Sequence, residues 1–439
     1  MRLRAATVGL LALVIVGAAV GAGSSAPRRA VPRTGFEESG GAEWTTHEQE
    51  LKFLAQVDKQ SKRVSISVIG RSIERRPLHL VRLGHPAPHS RREALRHPVV
   101  FFVCTQHGNE PAGREACLQL LRDLAFTDNP KLVKQLKSMT ILFVPTANPD
   151  GRAANSRQNA GGIDINRDHI NLESPEARAL AEVVLKWKPD LVMDLHEYGP
   201  SLPVVYDDDL LYLWPRNLNV DKTIHGLSKH FVMDYIEPGA EERGYSADEY
   251  GQYELADQDI HQSAGDGDEG IARNAMGLRH SIGILVESAV SENPRNGPDE
   301  MTSDAELNKR RVASHLVVAG ETLEFLRAEG AKVARETRKA AVEKTLEGKK
   351  RSAPVYFGGA DNDPPEESEI QDPPPCRYEL TQKQAGSLST VFRLLGIRSV
   401  ERGGKVSVPM GQPAEPVIPL LLDERGARHA VAGKPVMKC

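Results

Sequence analysis

The chain has 439 residues, 26% charged and 40% hydrophobic, with a formal net charge of -4. That length suits one large domain and a small second one, and the balance of charge offers no clustered basic face for a nucleic acid. Four cysteines, none at zinc-finger spacing, give no support for a structural zinc.

The N-terminus opens on basic Met1-Arg2-Leu3-Arg4, followed by an apolar run from Ala5 to about Ala22 and small residues to Ala26. This is the pattern of a secretory signal over residues 1–26, so a secreted or periplasmic location is expected. A run of about 18 residues also suffices for an anchor, so membrane contact is expected only if the segment stays uncut. Residues 27–43, rich in Gly, Ser, Pro and Arg, read as a linker.

The main domain is expected over 44–350. Thr45 and Glu48 form a candidate capping box for a first helix. Val64–Gly70 and Leu78–Leu83 alternate like a half-buried hairpin. Val99–Cys104 is a continuous apolar run, as in an internal parallel strand, and Pro111 opens a helix carrying Ala112, Ala116, Leu120 and Leu124. Thr140–Val144, Leu191–His196 and Ile282–Val286 supply further strands. The result is an α/β fold, a mixed parallel and antiparallel sheet with helices on both faces. Asp304–Glu347 is helical in one piece or two. The Pro- and acid-rich stretch 351–375 reads as a linker, and 376–439 as a small module of unknown role. Cys376 and Cys439 bracket it and could pair; Cys104 and Cys117 are expected as buried free thiols, with a link between them the alternative.

Within the loop after Val99–Cys104, His107-Gly108-Asn109-Glu110 places an imidazole and a carboxylate where both can turn to one ion. Chains of this architecture put their chemistry just beyond strand carboxyl ends, and His196 ends a second apolar strand. Two histidines and a glutamate make the three-ligand set of a catalytic zinc, one ion per chain, with a fourth position for water.

Around these residues the chain resembles the zinc carboxypeptidases of the carboxypeptidase A and B type, from about Trp44 to Leu326. The resemblance rests on His107-x-x-Glu110, Asn148-Pro149-Asp150-Gly151-Arg152, Gly162-Ile163-Asp164-Ile165-Asn166-Arg167, the strand carrying His196, and Ile284-Leu285-Val286-Glu287. It implies a peptide substrate with a free C-terminus, hydrolysed by a zinc-activated water with Glu287 as general base. It further implies Arg157 as the oxyanion donor, with Arg152 as a rival on the same loop. Asn166 and Arg167 would hold the terminal carboxylate, and Asp164 would orient His107. Ile163 and Ile165 suggest a short strand here, with Asp164 and Asn166 on one face.

Some residues depart from the family pattern. Asp168-His169 follows the Asn-Arg pair, and Glu197 brings an acid next to the third ligand. A substrate-covering tyrosine has no clear match; Tyr245, Tyr250 and Tyr253 are candidates. The glycine- and acid-rich Gly265–Gly270 reads as a loop facing the cleft. Asp207-Asp208-Asp209 lacks EF-hand spacing. Three other functions stay open: a zinc amidopeptidase acting on cell-wall peptides, a deacylase or esterase, and a catalytically inactive peptide-binding module. The last would be expected to lack Glu287 or a metal ligand.

Overall fold

Continuous apolar runs can be buried on both faces only at the centre of a sheet, and that is where they lie. The computed structural model describes residues 30–199, 206, 208–250, 252–256, 259–263, 267–291 and 303–439, and for 252–256 and 259–263 the backbone alone. The expected signal segment lies outside these residues. Among the described residues no helix is long and apolar enough to cross a membrane.

The strands are β1 (Val64–Arg71), β2 (Pro77–Leu83), β3 (Val99–Cys104), β4 (Thr140–Val144), β5 (Leu191–Tyr198), β6 (Leu210–Leu213), β7 (Ala247–Glu249), β8 (Gln252–Ala256), β9 (Asp259–Ser263) and β10 (Ile282–Ala289). Eight of them form one sheet in the order β1-β2-β4-β3-β5-β10-β6-β7, with β8 and β9 a separate hairpin. β4, β3, β5 and β10 run parallel; β1 and β2 form an antiparallel hairpin that joins the sheet through β4. The mixed sheet matches the expected fold class.

Alternate residues feed two core layers. Val100, Phe102 and Cys104 pack with Leu323 and Phe325 of one long helix, Asp304–Lys350. Phe101 and Val103 pack on the other face with Leu180 and Trp187 of the helix Pro175–Trp187. The C-terminal segment adds Tyr378, Leu395 and Leu421 to that second layer. It holds the short pair β11 (Val355–Tyr356) and β12 (Ile370–Gln371), and a four-stranded sheet of β13 (Arg377–Thr381), β14 (Val400–Arg402), β15 (Lys405–Pro409) and β16 (Lys434–Val436). Pro32–Cys439 is one compact unit.

Local differences from the sequence reading have physical reasons. A short helix, Gly35–Glu38, lies within the expected linker, and the next, His47–Gln60, is capped by Thr46 with Gln49, one position later than expected, because the Thr45 hydroxyl donates to buried Glu115 at 3.0 Å. Ile165–Arg167 is a 3-10 turn rather than a strand, since the Asp164 side chain accepts the Asn166 N–H and caps it. Cys104 and Cys117 are bonded to each other, not free, and Cys376 is bonded to Cys439. The helix Ala112–Phe126 packs back on β3 and β5, which brings Cys117 over the strand end.

Asp190, just before β5, ties three elements together. Its carboxylate accepts the Val99 N–H at 2.9 Å and the Thr337 hydroxyl of the long helix at 2.6 Å. Burial raises its pKa, so losing a partner leaves a costly group. Thr337→Val is expected to lower stability by about 1–3 kcal/mol, read as a lower urea midpoint at unchanged slope.

Candidate active site

The strand register sets the geometry. In the parallel pair of β5 and β10, Glu287 lies opposite His196, and β3 ends with Cys104 opposite Leu195. Three strand ends therefore meet at one edge, and the loop after β3 folds across it. Two glycines allow that loop its path: a Cβ on Gly108 would fall 1.9 Å from the carbonyl carbon of Gly151. Asn148 laces the crossing, donating to Gln106 O at 3.1 Å and to Arg157 O at 3.2 Å. Its side chain also accepts the Gly151 N–H, so the Asn148–Arg152 motif is the scaffold of the site.

Glu110 sits between the two histidines. One oxygen is 2.8 Å from His107 Nδ1, the other 2.8 Å from His196 Nδ1, and the two Nδ1 atoms are 3.1 Å apart. All three side chains are buried, and their ligand atoms lie within 4.8 Å of one another. Two imidazole nitrogens and a carboxylate oxygen facing one point fit zinc. Burial opposes charge on His196, yet Asp194 and Glu110 raise its pKa well above the ordinary value. Burial likewise opposes charge on Glu110, and His196 and His107 overcome it and lower its pKa. The pocket favours positive charge at its centre.

The outer nitrogens are held as well. His107 Nε2 is 3.1 Å from Asp164 Oδ1, and His196 Nε2 is 2.8 Å from Asp194 Oδ2. Asp194 accepts from Gln106 Nε2 at 2.6 Å, and Gln106 Oε1 meets His169 Nε2 at 2.7 Å. Burial lowers the pKa of His169 to about 4, which keeps that ring neutral. The sequence reading missed Asp194, although its position two residues before His196 puts both on one face of β5.

The remaining residues fall as follows. Glu287 lies beside the ligand set, and its Oε2 is buried with no hydrogen bond among the described residues. Burial, and then Glu110, raises its pKa against the pull of His196. Arg157 places Nη1 3.2 Å from His107 Nδ1 and pairs with Asp164 at 2.9 Å. Its rival Arg152 turns to Gly108 O, and burial lowers its pKa to about 10. The Asn166 amide nitrogen is 3.1 Å from His196 Nε2 and its Oδ1 accepts from Ala272 N at 2.8 Å, so the side chain faces inward. Arg167 donates to Asn166 O at 2.9 Å. Glu197 points away from the ligands, to the Ala112 N–H and the Arg311 guanidinium.

Of the candidate tyrosines, Tyr245 lies under Arg310. Tyr250 stacks on Tyr206 with centroids 5.2 Å apart. Burial raises its pKa and Glu287 adds to that, while Arg273, Arg167 and Arg157 oppose, so Tyr250 borders the site. The Tyr253 side chain, Asp207, Gly265 and Asp266 lie outside the described residues. Asp209 pairs with Arg310.

Residues 50–268 match the family model for zinc carboxypeptidase. The chain belongs to the zinc carboxypeptidase family. Carboxypeptidase 2 of Trichophyton equinum is 35% identical over 189 residues, 42% of this chain and 35% of that protein. Carboxypeptidase E of Caenorhabditis elegans is 29% identical over 153 residues, 30% of this chain and 32% of that protein. The chain thus aligns with about a third of the length of these relatives. The fold is shared with a Burkholderia mallei protein whose crystal structure was assigned as a carboxypeptidase: TM-score 0.50, 20% identity, covering 64% of this chain and 68% of that one. The family match ends before Glu287, which is tied to the site by the register of β10 and β5.

Asp194→Asn removes the charge behind His196 without changing shape. Metal affinity is expected to fall about 10–100-fold, measured by competition with a chromogenic chelator.

Proposed function

We propose that this chain is an exported zinc metallocarboxypeptidase, removing the last residue of peptides that have a free C-terminus. The observation that carries this reading is half-buried Glu287, whose buried Oε2 has no hydrogen bond among the described residues, beside a His107–Glu110–His196 donor set. The names of the carboxypeptidase relatives support it. Export rests on the signal pattern of residues 1–26.

A bound zinc ion would supply a Lewis acid and bring the pKa of its water toward about 7. The chain's own residues do the rest. Asp164 and Asp194 hold the outer nitrogens of the two imidazoles, which keeps both Nδ1 atoms turned inward. Glu287 takes a proton at Oε2 and returns it to the leaving amine; its raised pKa suits the return, and a dication nearby would lower it toward the base form. Arg157 offers its guanidinium to the charge that develops on the scissile carbonyl oxygen.

Arg167 grips the substrate's terminal carboxylate with its planar fork. Asn166 shares that grip through its side-chain amide, which rests 3.1 Å from His196 Nε2, and its backbone oxygen steadies Arg167. The turn of the Asn166 side chain toward His196 and the Ala272 N–H also favours a second reading, an amidopeptidase acting on cell-wall peptides whose substrate is anchored elsewhere.

Glu287→Gln is expected to keep zinc, by metal analysis of the purified protein, while turnover of a blocked dipeptide falls about 10²–10⁴-fold. Near-normal turnover would remove Glu287 from the base role. Arg167→Ala separates the two readings. A carboxypeptidase should show a KM raised at least about tenfold, the cost of one charge-assisted contact, for free C-termini and not for amidated ones. Equal effects on both would favour the amidopeptidase.

A further inference from the structure

Roughly 20 Å from the metal ligands along β5, at about 3.3 Å per residue, a second cavity opens at the amino ends of the parallel strands. Its volume is about 440 Å³, within the range of small-molecule sites. Val99, Asp190 and Ser281 form its strand-side floor, and Leu395, Pro413 and Val417 of the C-terminal segment form the facing wall. Apolar side chains, among them Leu95, Val184 and Leu278, line most of the rest.

The charges in this cavity are one-sided. Arg279, Lys188 and Arg338 line it, against a single carboxylate, Asp190. That carboxylate already accepts from Thr337 and Val99. Arg279 has no acidic partner among the described residues: its guanidinium bonds only a carbonyl there, from Nη2 to Leu394 O at 3.0 Å. Burial alone lowers its pKa to about 10. A desolvated guanidinium without an anion is costly, and the peptidase chemistry described above has no use for one at this end of the sheet. His280, the next residue, bonds Pro413 O at 2.7 Å, so the wall that closes the cavity is held by this same turn.

We propose that this cavity is a binding site for a small amphipathic carboxylate. The anionic head pairs with Arg279, with Lys188 and Arg338 at the exposed rim, and the apolar body lies between Leu278 and Leu395. A guanidinium and a carboxylate make a bidentate pair, and a low-dielectric wall strengthens it. This proposal does not depend on the catalytic reading, because the two sites lie at opposite strand ends.

Octanoate serves as the probe, titrated calorimetrically into the full, chelator-treated chain. One saturable site is expected, with octanol at least about tenfold weaker, since it lacks the charge-assisted contact. Arg279→Met should weaken octanoate about tenfold or more, and so should Arg338→Glu, a change at the exposed rim, with each variant's fold checked by its thermal midpoint. Arg167→Ala should leave binding unchanged. The proposal is overturned by any of four results: no saturable binding, octanol binding as well as octanoate, affinity unaltered in both Arg279→Met and Arg338→Glu, or loss of binding in Arg167→Ala. The last would put the carboxylate in the peptidase cleft.

Discussion

The register between β5 and β10 is the constraint on which the site depends. Side chains in a strand alternate faces, so a slip of one residue would send Glu287 to the opposite side of the sheet from His196. Both strands are buried through their cores, β5 at every residue and β10 from Ile282 to Val286. Any slip would bury polar groups in two apolar layers at once. The packing that stabilises the sheet therefore also positions the candidate base against the candidate ligands.

Electrostatics sorts the acids of this edge into two kinds. Glu110, Asp164 and Asp194 all face imidazoles, and despite burial those contacts draw their pKa values down. Glu287 is the exception: its burial is not repaid by a hydrogen bond at Oε2, and its pKa rises. Environments that push neighbouring carboxyls apart in this way are the usual mark of distinct roles in one site. Glu197 would have blurred the contrast, but the Ala112 N–H and Arg311 hold it on the far side of the strand.

The other end of the sheet is organised by different residues. Asp190 joins β3 to the long helix, while Arg279 and His280 reach the C-terminal segment through Leu394 and Pro413. That segment adds Tyr378, Leu395 and Leu421 to the same apolar layer as Phe101. Its contact with the peptidase fold is thus part of the core, and the seam between them retains a cavity of one-sided charge.

Much of this was legible in the sequence because periodicity and apolar runs are local properties. Val99–Cys104, Leu191–His196 and Ile282–Val286 marked the central strands, and His107, Glu110, His196 and Glu287 all stood at their ends. Three features were beyond local reasoning. Asp194 belongs to an apolar run, and only the approach of Gln106 and His196 gives its charge a partner. Which of Arg152 and Arg157 lies beside His107 depends on the path of one loop, where Gly108 crosses Gly151. The inward turn of Asn166 came from the Ala272 N–H, more than a hundred residues away. Residue type and spacing determined which groups could carry chemistry; long-range contacts, which no single stretch of chain contains, decided where each one points.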